Sequence, residues 1–129
     1  MQIKLASILV ENQDHALHFY THILGFEKKA DIPMGEFRWL TLSSPDGIEG
    51  VELVLELTHF PPARLYQKSL LEAGIPATAF ITTDIYADYH RLKAQGVIFT
   101  GEPLRVGPII NAIFEDTCGN LILLVQPIA

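Results

Sequence analysis

Cysteine is almost missing from this chain: of 129 residues, only Cys118 carries a thiol. One cysteine cannot close a disulfide within the chain, which excludes a stapled secreted scaffold and fits a reducing compartment. Basic residues are also scarce, nine Lys and Arg against fifteen Asp and Glu, for a formal net charge of −6. No lysine or arginine cluster offsets that balance, so a phosphate backbone is repelled and nucleic acid is not expected as a partner. No apolar run approaches the length that crosses a bilayer, so no membrane partner is expected either. The aliphatic stretch Ile3–Val10 is too short and interrupted for a signal peptide, and no cleavage site follows it. A phosphate-cradling glycine loop is missing, because Gly101 and Gly107 are separated by Pro103, Leu104 and Arg105. There is no serine nucleophile elbow and no zinc-finger spacing. What remains is 49% hydrophobic and 19% charged, the composition of a folded domain. The length suffices to bury roughly two-thirds of the unfolded surface. The expectation is a soluble, cytoplasmic, single domain over residues 1–129.

What is present is a repeat. In the first half, a helix predicted over Asp14–Leu24 stops at Gly25 and runs into the strand-like Phe26–Ile32. In the second, Asp84–Gln95 stops at Gly96 and runs into Val97–Phe99. Ser44-Pro45-Asp46-Gly47 precedes the apolar Val51–Leu57, as Asp116-Thr117-Cys118-Gly119-Asn120 precedes Leu121–Val125. Each half reads as a βαβββ unit, and a repeat of this kind constrains a fold more than any single residue. The predicted class is α+β, with two βαβββ modules forming a cup-shaped mixed sheet, helices outside. Module one covers about 1–58, a linker 59–76, and module two 77–129.

Local signals fill in the units. Ile3–Val10, Phe37–Ser43, Ala77–Thr82, Ile109–Glu115 and Leu121–Gln126 read as strands. Asn12 and Asp14 supply oxygens to the free N–H groups that open the first helix. Its buried face is expected at Leu17, Tyr20 and Leu24, supported by Ala16 and Ile23. On Val51–Leu57, alternation puts Glu52 and Glu56 on the same side as Val54. Pro61-Pro62 ends that strand, and a short helix follows over Ala63–Ala73, with Leu65, Tyr66, Leu70 and Ala73 on one side and Gly74 as its stop. Thr83 or Asp84 caps the last helix, whose apolar face is Ile85, Tyr89 and Leu92.

Ala16-Leu17-His18-Phe19-Tyr20, followed by Ile23-Leu24-Gly25-Phe26, resembles the first-helix signature of the vicinal oxygen chelate superfamily. That group includes glyoxalase I, extradiol dioxygenases, and the fosfomycin- and bleomycin-resistance proteins. Ala79-Phe80, Asp84, Leu92, Gly96-Val97 and Phe114–Asn120 continue the likeness through the second half. The final turn resembles the family's D-P-x-G-N, with Thr117 where proline is commoner. The resemblance implies paired modules around an open pocket, and commonly a homodimer. It also implies four metal-ligand positions, which fall on Leu5, Glu56, Ala77 and Leu123. Only Glu56 keeps a donor, and one carboxylate is too little to hold a divalent ion against water. Lys4, Ala6, Thr78, Ile122 and Leu124, one residue away, add no good ligand.

Other residues carry possible chemistry. Glu56 and Glu52 either meet a cationic or hydroxylated ligand, Glu56 being also the one candidate acid or base, or form the solvated half of an alternating strand. Arg38 and Trp39 point to opposite faces, so one of them is available to a ligand: a guanidinium for an anion, or an indole for an aromatic or a cation. Tyr66 and His59 belong to the linker, where Tyr66 either rims the pocket or packs in a short helix. Asn111 is a candidate inward polar group. His15, His18 and His22 share a helical face opposite Leu17, Tyr20 and Leu24, and a pair at i, i+4 can chelate zinc or nickel. Cys118 has acidic neighbours, which disfavour a thiolate nucleophile.

These residues point to metal-independent binding of a small organic molecule in an apolar cup anchored by Glu56, with sequestration or resistance as its use. No cofactor is expected. One alternative is a divalent-metal-dependent lyase, isomerase or dioxygenase with Glu52, Glu56 and His59 among its ligands. The other is an interaction module with a vestigial pocket.

Overall fold

The computed structural model describes residues 1–128. The order of elements is β1 Leu5–Val10, α1 Gln13–His18 with a π-helical turn Phe19–Ile23, β2 Glu27–Met34, β3 Phe37–Ser43, β4 Glu52–Leu57, α2 Pro61–Glu72, β5 Thr78–Ile81, α3 Ile85–Ala94, β6 Leu104–Val106, β7 Ile109–Glu115 and β8 Leu121–Pro127. They form two four-stranded mixed sheets, ordered β1-β4-β3-β2 and β5-β8-β7-β6. Each has one parallel pair, β1 with β4 and β5 with β8, and antiparallel pairs elsewhere. The class is α+β, and the repeat is two βαβββ units.

Two compact units divide at Tyr66 and Gln67, within α2. The helix expected within 59–76 is α2, and the division between the units falls inside it. In the first, the buried residues Ile8, Val10, Leu40, Leu42 and Leu55 pack with Ala16, Phe19 and Tyr20. In the second, Phe114, Ile122 and Leu124 pack with Ile85, Tyr89 and Leu92. Phe99 joins this second core, its ring centroid 4.7 Å from Tyr89 and 5.5 Å from Phe114.

The helices obey their termini. Asn12 accepts from the His15 N–H, and Asp84 from the Ala87 N–H, as side-chain caps. At the far ends Gly25 (φ 87°) and Gly96 (φ 92°) take the left-handed conformation that stops each helix. After α3 the Gly96 N–H bonds the Lys93 carbonyl and the Val97 N–H the Leu92 carbonyl.

Three expectations need correction. The first helix buries Ala16 and Tyr20 of its expected face but leaves Leu17, Ile23 and Leu24 only half-buried, and it buries Gln13 and Phe19 as well. Its last part is π-helical, with the Leu24 N–H reaching five residues back to the Phe19 carbonyl and the Thr21 hydroxyl occupying the Leu17 carbonyl at 2.6 Å. Ala16, Phe19 and Tyr20 stand at i, i+3 and i+4 on one helical face, and the wider turn shifts the phase only of the residues that follow, Ile23 and Leu24. Val97–Phe99 is not a strand but makes one isolated bridge, Phe99 to Phe114; the strand after α3 is Leu104–Val106. Finally, α2 leaves Leu65 and Tyr66 exposed at 66% and 61%, while Gln67 is buried. The Gln67 amide donates to the Cys118 carbonyl and to Asn120 Oδ1. That polar anchor, rather than the apolar side chains, sets which side of this end of the helix faces in.

Candidate functional site

Strand register sorts every side chain onto one of two faces. In the first unit the near face, against α1, carries Ile8, Val10, Leu40, Leu42 and Leu55. Neighbours in register share a face, so the far face carries Leu5, Ser7 and Leu9 of β1 beside Glu52, Val54 and Glu56 of β4. Thr41 lies beside Val54, while Trp39 faces Ile32 and Phe37 faces Met34. The centre, Thr41 and Val54, is buried; Leu5, Ile32, Met34, Phe37 and Glu56 around it are exposed. It is an apolar surface bearing few polar groups.

Glu52 and Glu56 share this far face. The Glu52 carboxylate accepts from the Thr41 hydroxyl at 2.6 Å, and the same Thr41 oxygen accepts from the Ala30 N–H at 3.1 Å. Of the adjacent pair, Trp39 lies on the far face, half-buried, and is the protein's sole tryptophan. Arg38 is turned to the near side. There it donates to both Asp31 oxygens, at 2.9 and 3.0 Å, and makes a very short ion pair with Asp14 at the start of α1. Hydrogen bonds from Arg38 hold the Asp31 carboxyl below its ordinary range, and those to Asp31 and Asp14 raise Arg38.

A residue that sequence reasoning missed organises this corner. Gln13, nearly fully buried, donates from Nε2 to the Arg38 and Leu55 carbonyls at 2.8 and 2.9 Å, and its Oε1 accepts from the Arg38 N–H at 3.2 Å. Strands β3 and β4 pair only through Thr41–Val54 and Leu42–Leu53. Beyond that point Gln13 takes the place of a strand between them. A glutamine in the first turn of a helix has no sequence signature that separates this role from a surface one. Beside it lies a cavity of about 470 Å³ lined by Glu11, Asp14, Glu36, Phe37, Arg38 and His59 among others.

In the second unit the far face carries Ala79 and Ile81 of β5, Leu123 and Val125 of β8, Asn111 and Ile113 of β7, and Leu104 and Val106 of β6. Asn111 is half-buried between Val125 and Leu104. Tyr66 stands exposed on α2. His18 and His22 stack with centroids 4.5 Å apart on the exposed side of the first helix. Cys118 is buried, its N–H bonded to Asp116 Oδ1.

Of the four positions where the resemblance puts metal ligands, Leu5 and Glu56 are on the far face of the first sheet. Leu123 is on that of the second, and the Ala77 N–H bonds the Leu121 carbonyl at the head of β5. One carboxylate and three aliphatic side chains do not make a divalent-metal site. Among the described residues, no three His, Cys, Asp or Glu lie together so as to hold an ion, Glu52, Glu56 and His59 included.

The chain belongs to the Glyoxalase/Bleomycin resistance protein/Dioxygenase superfamily, which it matches over residues 2–124. It is 54% identical to the uncharacterized protein YurT of Bacillus subtilis (strain 168), over 98% of this chain and 99% of that one. It is 32% identical to a probable lactoylglutathione lyase of Synechocystis sp., over 92% and 90%. Among solved structures it is similar to TnmS3, an antibiotic binding protein from Streptomyces sp. CB03234, with a TM-score of 0.77 and 30% identity over 98% of this chain and 96% of that one.

Proposed function

We propose that this protein binds a small organic molecule on its far sheet faces without a metal, and that it serves sequestration or resistance. The observation that carries the reading is the far face of the first unit. Trp39, Phe37, Ile32 and Met34 give an apolar surface there, and Glu56 is an exposed carboxylate beside it. An apolar surface with few fixed polar groups is the general form of a small-molecule site. The similarity to an antibiotic binding protein supports the same direction. In this reading Glu56 anchors the ligand and Trp39 stacks on it, while Asn111 is the polar candidate on the second unit's own far face. Glu52 is held back by Thr41, and Arg38 fixes the β2–β3 hairpin. Tyr66, on α2, contributes at the periphery. A homodimer and a cytoplasmic setting belong to the same reading, the first checked by sedimentation and the second by cell fractionation.

A ligand that binds only the folded state raises the melting temperature by mass action. A thermal-shift screen of polycyclic aromatic antibiotics in excess EDTA is expected to yield stabilising compounds whose effect shrinks in Glu56→Gln. Compounds that stabilise only when EDTA is left out sink the metal-free reading.

The similarity to a probable lactoylglutathione lyase motivates a second reading, a metal-dependent lyase. It needs donors beyond Glu56 and predicts about one tightly held divalent ion per chain. Metal analysis of untagged protein decides it, with His18→Ala as the control for the helix histidines.

A further inference from the structure

The two faces of the sheets are sorted by charge. Three basic residues occupy paired strand positions: Lys28 beside Leu42, Arg38 beside Pro33, and Arg105 beside Ile110. All three lie on near faces. Four glutamates at paired positions lie on far faces: Glu27 beside Ser43, Glu52 beside Leu5, Glu56 beside Leu9, and Glu115 beside Leu121. The one strand aspartate, Asp31, is on the near side, where Arg38 and Lys28 engage it. Lys29 occupies the β2 bulge and is outside the register.

We infer that the far faces select cationic, amine-bearing aromatic molecules and turn anions away. The inference rests on the binding reading above and narrows it to a ligand class. An anion entering against Glu56 finds no lysine or arginine at a register position on that far face, and the chain's formal charge of −6 adds to the repulsion. An ammonium finds the Glu56 carboxylate, and the indole of Trp39 on the same face attracts cations through its ring quadrupole. The sorting also weighs against the lyase reading, because a glutathione thioester carries two carboxylates and one ammonium.

The sole tryptophan makes the test direct. Stern–Volmer quenching of Trp39 by caesium and by iodide, each normalised to N-acetyltryptophanamide, reads the sign of the local potential. Caesium is expected to quench several-fold better than iodide in the wild type, with the two converging in Glu56→Gln/Glu52→Gln. Isothermal titration then compares two molecules of one aromatic body, 9-aminoacridine and acridine-9-carboxylate. At least about tenfold tighter binding of the amine is expected, falling toward parity in Glu56→Gln. Iodide quenching as well as caesium, or the carboxylate binding as tightly as the amine, overturns the inference. If neither acridine binds while caesium still prevails, the charge preference of the face stands and the binding reading fails.

Discussion

Thr117 sits at φ 60°, a left-handed conformation that a β-branched side chain adopts only at a cost of about 1–2 kcal/mol. Its neighbours hold it there: Asp116 Oδ1 accepts from the Cys118 and Asn120 N–H groups, and Asp116 Oδ2 from the Asn120 amide. Proline, whose φ is locked near −65°, cannot take this conformation, so the likeness to a proline-bearing turn stops at this residue. Thr117→Gly is expected to stabilise the protein by about 1 kcal/mol in urea unfolding, less whatever the hydroxyl's bond to the Asp116 carbonyl contributes. Gln13 is the converse case. Gln13→Leu strips the partners from two carbonyls and one N–H at the β3–β4 junction, and is expected to destabilise by about 2–4 kcal/mol. A loss below about 0.5 kcal/mol in the same assay contradicts the bridging role.

At the scale of elements, the β2–β3 hairpin is tied to α1 through Arg38, which joins Asp31 of β2 to Asp14. Asp31 is depressed below its ordinary value, so its contribution is fully present above that value and is lost as pH falls through the depressed one. Arg38 is raised from an already high value and stays charged throughout. Asp31→Asn should therefore be less stable than wild type near neutral pH, by roughly 1 kcal/mol for a partly exposed pair. The gap should narrow as pH falls through that depressed value; a gap that does not change with pH assigns the loss to packing instead. Most elements were legible in the sequence because glycine stops, caps and alternation are local signals. Phe37–Ser43 and Ile109–Glu115 match their predicted bounds. The π turn was not legible, since a helical wheel at 3.6 residues per turn has no place for an inserted residue. Nor was the buried side of α2, where Gln67 is fixed by Cys118 and Asn120, about fifty residues away in sequence. The second strand of the second unit, Leu104–Val106, is three residues long and too short for alternation to register.

For the whole molecule, the repeat in the sequence becomes two units of one topology, each with a helix on one sheet face and a mostly apolar second face. The placement of Glu52 and Glu56 followed from alternation alone. The choice between Arg38 and Trp39 did not, because alternation separates them without saying which side α1 covers. The central claim is that this surface binds an organic molecule without a metal. The most direct test is calorimetric titration of 9-aminoacridine into metal-stripped wild-type protein in excess EDTA. The account predicts saturable binding that is unchanged when zinc or nickel is restored. Binding that appears only with the metal contradicts it.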